Sequence, residues 1–430
     1  MKIEKAQSGG MGWGSGRWML LVLGVLLAAC APPPGFQLPD DPLARILGRR
    51  VGRVIIVGSD GNLYLTDQSG LRQHALTEDA GPTAQGRRAY RLPTWSPDGR
   101  RLAVFEVFSG AVTRMRVIGI DLSPGRSPIR HVWGEWEGEE PTMLSWLDPR
   151  SLLVLSRKDA RSTVYALRLL DPEGRHETLL AQGSPLFFSW SAARRTLAWH
   201  REGRYLELRG LDEGEARQRS DHTAAFNAPA WSPDGRWLAW AEQEGSASAL
   251  RLEETGDRAT RTILTFTGGI AFAWSPASRH LALITDPTTT LPRIGPLDLY
   301  DAETNTLTRL DEQSNLALFW SHDGRKLAAF RLLEIDPASG QVLLQARIYD
   351  LPGKKGRDLV AFIPTPAFLE VLALFDVFQP SASLWSPDDR FLLISAMEPE
   401  GKAGIYALHV SGWLEPRRLG DGVLAFWSPR

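Results

Sequence analysis

Trp231-Ser232-Pro233-Asp234-Gly235 is the stretch whose reading decides the fold. An apolar run from Phe226 leads into the tryptophan, and Trp237-Leu238-Ala239-Trp240 follows the glycine. Proline presets its own backbone angle, aspartate can hydrogen-bond the local backbone, and glycine tolerates positive φ. The five residues therefore spell a tight turn between two strands. The motif returns as Trp95-Ser96-Pro97-Asp98-Gly99, Trp320-Ser321-His322-Asp323-Gly324 and Trp385-Ser386-Pro387-Asp388-Asp389. Weaker copies begin at Trp146, Trp190 and Trp274, and Trp427 stands in the same context near the end. Successive tryptophans are 51, 44, 41, 43, 46, 65 and 42 residues apart. A strand-rich period of about 40 to 50 residues is that of a propeller blade.

The two ends complete one unit between them. Val54-Ile55-Ile56-Val57, Asn62-Leu63-Tyr64-Leu65 and His74-Ala75-Leu76-Thr77 read as the second, third and fourth strands of a blade that has no first strand. Val423 to Trp427 reads as a first strand with nothing after it. The expected fold is thus all-β: an eight-bladed β-propeller over residues 51–430, closed by pairing of N-terminal strands with the C-terminal strand. Joining the ends in one sheet removes the free edges that an open ring would expose. These repeats resemble those of the TolB-type, WD-like β-propeller family, over about residues 53 to 430. The resemblance implies a cell-envelope protein that binds a protein or peptide and performs no chemistry.

The first fifty residues read as targeting and tether. Lys2, Lys5 and Arg17 precede an apolar run from Trp18 to Ala29, which is too short to cross a bilayer as a helix. Leu27-Ala28-Ala29-Cys30 resembles the lipobox of bacterial lipoproteins, in which the cysteine is acylated. Residues 1–29 are then a lipoprotein signal peptide, Cys30 the lipid attachment site, and 30–50 a tether stiffened by Pro32, Pro33, Pro34, Pro39 and Pro42. The expected location is outside the cytoplasm, anchored to the cell membrane or outer membrane. Cys30 is the only cysteine, so the body must hold together without disulfides. With 49 basic against 50 acidic residues there is no general basic field, and nucleic acid is not an expected partner.

The repeat tryptophans and aspartates are read as packing and turn-capping residues rather than as a ligand platform or a metal ring. No G-x-S-x-G, H-E-x-x-H or P-loop pattern occurs, and no cofactor is expected. Function is sought instead in the long connections, 78–90, 133–141, 286–296 and 362–380, all expected on one face. Two of them stand out. In 133–140, Trp133 and Trp136 sit among four acids, including Glu137, a composition that suits either a plain solvated loop or a contact with a basic partner. Residues 366–378 read as a short helical insertion, with Thr365 as N-cap and Pro366 at the first position. Its apolar residues, among them Phe368, Leu372 and Phe375, go around most of the helix and suit either a lid over the blades or a partner contact. A surface propeller that binds or cleaves glycans is the alternative function.

Overall fold

In each full copy of the motif the serine organises the turn. Ser96 Oγ donates to Asp98 Oδ1 (2.6 Å) and accepts from the Arg101 amide (2.9 Å). Ser232, Ser321 and Ser386 repeat both bonds, at 2.6–2.7 Å to their aspartates and 2.8–2.9 Å from the amide five residues on. The same aspartate oxygen takes the amide two residues later, at Arg100, Arg236, Arg325 and Arg390. Gly99, Gly235 and Gly324 close the turn at φ 68°, 70° and 66°, the left-handed region that a Cβ disfavours. The computed structural model describes residues 52–429, apart from 124–126, 160, 174, 175, 212–215, 225–227, 257, 290 and 352.

Strand accounts for 60% of the described residues and helix for 4%, so the class is all-β. The described strands form seven antiparallel sheets. Six of them each hold one tryptophan-led unit. The seventh, seven-stranded, holds two, because the long strand Thr306–Trp320 pairs first with Gly295–Asp301 and then with Lys326–Ile335. The strand Leu424–Trp427 pairs with Arg53–Val57, in the register Val54↔Trp427 and Ile56↔Ala425. The first and last described strands therefore share one four-stranded sheet. The Trp385 unit is the least regular. Its sheet has three strands, Phe391–Met397, Ala403–His409 and Arg417–Asp421, and Trp385 joins it through a single bridge to Leu392.

Neighbouring units are stitched by the tryptophans. The Trp146 indole N–H donates to the Thr94 carbonyl (3.3 Å), Trp274 to Ala230 (3.1 Å), Trp320 to Ala273 (3.0 Å) and Trp385 to Phe319 (3.0 Å). A longer contact, 3.5 Å, runs from Trp95 to Phe426. The acceptor in each case is the residue just before the preceding unit's tryptophan. One bond thus ties the end of five inner strands to the next unit, while the Trp190, Trp231 and Trp427 indoles contribute packing alone, their rings filling the space between sheets.

Two departures from the motif compensate each other. His322 stands where other copies have proline, and so offers an amide that proline lacks. Asp389 stands where others have glycine, at φ 53°. Its carboxylate accepts from the His322 amide (2.8 Å) and the Asp323 amide (2.9 Å), and it lies 2.8 Å from His322 Nδ1. Burial pushes the Asp389 carboxyl up, but these bonds hold it below the ordinary carboxylate value.

Between the Trp320 and Trp385 units lie two short helices, α1 (Pro366–Ala373) and α2 (Phe375–Phe378). Thr365 caps α1 by accepting from the Phe368 amide (3.2 Å), and its hydroxyl donates to the Val423 carbonyl (2.5 Å). The chain then returns to Trp385 along the inner strands of three units. Gln379 Oε1 accepts from the Trp320 amide (3.3 Å), Ser381 O from the Thr94 hydroxyl (3.2 Å), and Ser383 O from the Trp427 amide (2.8 Å). The insertion therefore lies over the inner ends of the sheets.

If the stitching matters beyond ring bulk, Trp320→Phe should cost about 1 kcal/mol, the value of one net hydrogen bond. Trp320→Ala should cost about 3–5 kcal/mol. Denaturant midpoints for the two variants check this. A phenylalanine variant as unstable as the alanine variant would mean that shape contributes little.

Candidate binding face

Inner strands end in the tryptophan turn, so antiparallel alternation puts first-to-second and third-to-fourth turns on one face, here the turn face. Second-to-third and unit-to-unit connections lie on the other. That other face carries the helices and a cavity of about 240 Å³. Val57, Ala89, Leu424 and Ala367 give the cavity an apolar floor, drawn from the first two units and α1. Arg87, Arg91, Asp60 and Glu370 stand around it. Asp60 is committed to its own loop, accepting from the Asn62 amide (3.0 Å), the Asn62 side chain (2.8 Å) and the Tyr64 phenol (2.7 Å). Burial acts to raise its carboxyl, yet the Asn62 and Tyr64 bonds hold it below its usual value. That hydrogen bond to Asp60 pushes the Tyr64 phenol up to about 12. Arg91 lies 3.9 Å from Glu370, both about half exposed, and Arg87 is exposed with no ion pair among the described residues. The site thus offers a small apolar cleft with mobile-length cationic arms, suited to an apolar side chain beside a carboxylate.

On the same face, α2 meets the 286–294 connection around a cavity of about 10 Å³, barely one water in size, beside Arg293 and Asp376. Burial pushes the Asp376 carboxyl up to about 6, against the Val377 amide and the Arg293 charge. Burial likewise lowers the Arg293 guanidinium. Polar atoms are here held inside a packed junction, which locks the lid and leaves no space for a ligand.

The residues singled out from sequence do not form one surface. Residues 133–141 are not a connection. They belong to strands Ile129–Glu137 and Glu140–Asp148, joined at Gly138 and Glu139. Trp133 sits at a β-bulge against Val117 and Ile118 and makes an edge-to-face contact with Trp146 at 5.7 Å. Its ring occupies the room left by Gly119, where a Cβ would come within 1.8 Å of it. Trp136 lies under the Arg168 guanidinium (5.2 Å) and donates to Glu177 (3.3 Å). Both rings are partly buried packing residues.

The four acids beside them are already paired. Glu135 meets Arg116 (2.9 Å), Glu137 meets Arg114 (3.1 Å), Glu140 accepts from Thr113 (2.8 Å), and Glu139 holds Arg168 (2.6 Å). Glu137 is exposed, so only its outer side is open to a partner. Phe368, Leu372 and Phe375 are fully buried in the main core cluster, Phe368 against Phe330 at 5.7 Å and Phe375 against Phe319 at 6.5 Å. They cannot touch a partner in this conformation, and they fasten the lid. Cys30 lies outside the described residues. The sequence reading named none of Arg87, Arg91 and Glu370 as a site residue; the long 78–90 connection contains Arg87 and ends next to Arg91, the 362–380 insertion contains Glu370, and the first of these is itself a hairpin, Gly81–Thr83 with Gly86–Trp95. Among the described residues no group of three His, Cys, Asp or Glu could hold a metal ion.

Glu137→Ala should cost under about 1 kcal/mol, as exposed ion pairs do. Glu139→Ala leaves the largely buried Arg168 without its main carboxylate and should cost roughly 3 kcal/mol. Equal losses in thermal melts would contradict the strand assignment of this acidic stretch.

No family model and no curated relative matches the sequence. Solved structures do resemble it. Dihydro-heme d1 dehydrogenase NirN in complex with DHE matches at a TM-score of 0.55 and 15% identity, over 99% of this chain and 83% of that one. An oligogalacturonate lyase in complex with manganese matches at 0.51 and 14%, over 85% and 99%. TolB from Acinetobacter baumannii also matches, at 0.39 and 15%, over 73% of this chain and 64% of its own. The fold is therefore a β-propeller. Since that fold carries a dehydrogenase and a lyase alike, it assigns no chemistry by itself.

Proposed function

We propose that this β-propeller is an exported, lipid-anchored and non-enzymatic scaffold that binds a protein or peptide on its helix-bearing face. In this reading the eight tryptophan-led units are eight blades. The shared sheet of Arg53–Val57 and Leu424–Trp427 closes the ring. Cys30 carries the lipid, and the body faces away from the cytoplasm.

The observation that carries the reading is the 240 Å³ cleft between the first two units and α1. Its apolar floor and its two arginines suit an apolar residue followed by a carboxylate, the chemistry of an acidic peptide segment or a chain terminus. Packed strands and the buried helix α1 supply the floor, so little ordering is needed on binding. The buried lid fits the same role as a support that fixes one wall through Ala367 and Glu370.

Recovery of partners from native membranes tests this directly. The Arg87→Glu, Arg91→Glu double variant should stay folded, because both side chains are exposed, and should lose at least about tenfold of its partner recovery, the effect of two charge-assisted contacts. Cys30→Ser should abolish incorporation of labelled fatty acid while leaving the cleft competent in detergent. Unchanged recovery in the arginine variant rejects the cleft, and unchanged labelling in the cysteine variant rejects the anchor. Binding to a glycan array with no protein recovered would favour the glycan-binding alternative.

A further inference from the structure

The face opposite the cleft carries the tryptophan turns and the third-to-fourth-strand turns. The described chain also begins there. Gly52 backs onto the Pro387 ring, the Arg53 amide donates to Ser428 Oγ (2.9 Å), and the Arg53 guanidinium reaches the Leu122 carbonyl (3.1 Å). On that face stand the most exposed large apolar side chains among the described residues, Trp413 at 90% and Leu71 at 66%. They belong to neighbouring turns. Trp413 precedes the strand Arg417–Asp421, and the turn holding Leu71 rests on that strand, with Arg417 donating to the Gln68 carbonyl (3.0 Å) and Gly70 against Leu419. Leu414 adds a third exposed apolar group.

Charge on this face is unevenly distributed. The motif is followed by an exposed arginine in unit after unit. Away from Trp413 these arginines are paired: Arg150 with Glu173 (3.8 Å), Arg236 with Glu254 (2.8 Å) and Arg279 with Asp301 (2.6 Å). In the sector around Trp413, Arg100, Arg325 and Arg390 have no ion pair among the described residues, nor do Arg72 and Lys355. Carboxylates there are mostly engaged: Asp98, Asp323 and Asp388 bind their own turns, Asp350 faces Arg357 (3.6 Å), and Glu415 is exposed. The sequence just upstream of Gly52 adds Arg45, Arg49 and Arg50.

We propose that this sector of the turn face lies against an anionic lipid surface, with Trp413 and Leu71 entering the interface and the unpaired arginines meeting phosphate headgroups. An aromatic side chain with a polar edge prefers that depth, and basic groups near an anionic bilayer strengthen the contact. No helix among the described residues is long and apolar enough to cross a membrane, so the contact is peripheral. The proposal rests on the anchored reading for its choice of occupant, since the upstream chain carries the apolar run and Cys30. The anchor alone would not orient the body: the 22 residues from Cys30 to Gly52 can span up to roughly 70–80 Å. The surface contact supplies that orientation and turns the cleft away from the membrane.

The single cysteine makes a clean test possible. In the full chain carrying Cys30→Ser, a polarity-sensitive fluorophore is attached at Trp413→Cys, or at Val112→Cys as a control. Val112 is 62% exposed in a turn on the cleft face. Vesicles of phosphatidylcholine with phosphatidylglycerol should shift the emission at 413 to the blue and leave 112 unchanged. Arg72→Glu with Arg390→Glu should raise the lipid needed for half of the shift by at least about fivefold, the factor for one basic side chain near an anionic surface. No shift at 413, or an equal shift at 112, overturns the proposal. So does a shift at 413 that appears on adding unlabelled protein without vesicles, which would assign the face to a second copy of the chain. Because acylation is absent throughout, failure here is distinguishable from failure of the fatty-acid labelling or of the cleft.

Discussion

The carbonyl one residue before a repeat tryptophan already pairs in its own sheet, as Ala230 does opposite Ala239, and in five units the indole N–H of the next unit takes its second lone pair. That bond recurs at Thr94, Ala230, Ala273 and Phe319, always one residue before a tryptophan. Where it forms, the tryptophan sits at the strand end facing the neighbouring sheet, and in the four full copies of the motif the Ser–Asp turn holds that position by leaving no slack between first and second strands. The spacing of the sheets follows from one ring, and the exposed arginine after the turn follows from the same geometry. Where the repeat departs from its pattern, the neighbour adjusts: His322 gains an amide that Asp389 then accepts.

Much of this was legible because the motif is local. Five residues with defined backbone demands identify a turn, and eight recurrences identify the architecture; the capping role of Asp98, Asp234, Asp323 and Asp388 needed only hydrogen-bonding distance along the chain. Thr365-Pro366 marked the start of α1 for the same reason. What failed was non-local. Residues 133–140 looked like an acidic connection because their compensating charges, Arg114, Arg116 and Arg168, lie on other strands. Phe368, Leu372 and Phe375 looked surplus to one buried face because the helix is covered by several sheets at once. The cleft was invisible since its walls come from residues 57–61, 87–92, 367–370 and 423–424, which share no pattern.

The two faces of the scaffold are built by different physics. On the turn face every backbone demand is met within the motif, which frees the sixth position and the third-to-fourth turns to vary in charge and apolarity. On the other face the insertion satisfies the inner strand ends, with Gln379, Ser381 and Ser383 reaching three units. Filling the centre this way moves any accessible cleft outward, to the junction between the first two units.

All of this presupposes that the last strand belongs structurally to the first unit. Hydrogen exchange across a truncation after Val423 tests that claim most directly. The account predicts that removing the final strand abolishes amide protection at Val54–Val57 and weakens it around Trp95, whose indole reaches Phe426, while the units from Trp231 to Trp320 keep most of theirs. Undiminished protection at Val54–Val57 in the truncated chain would contradict it.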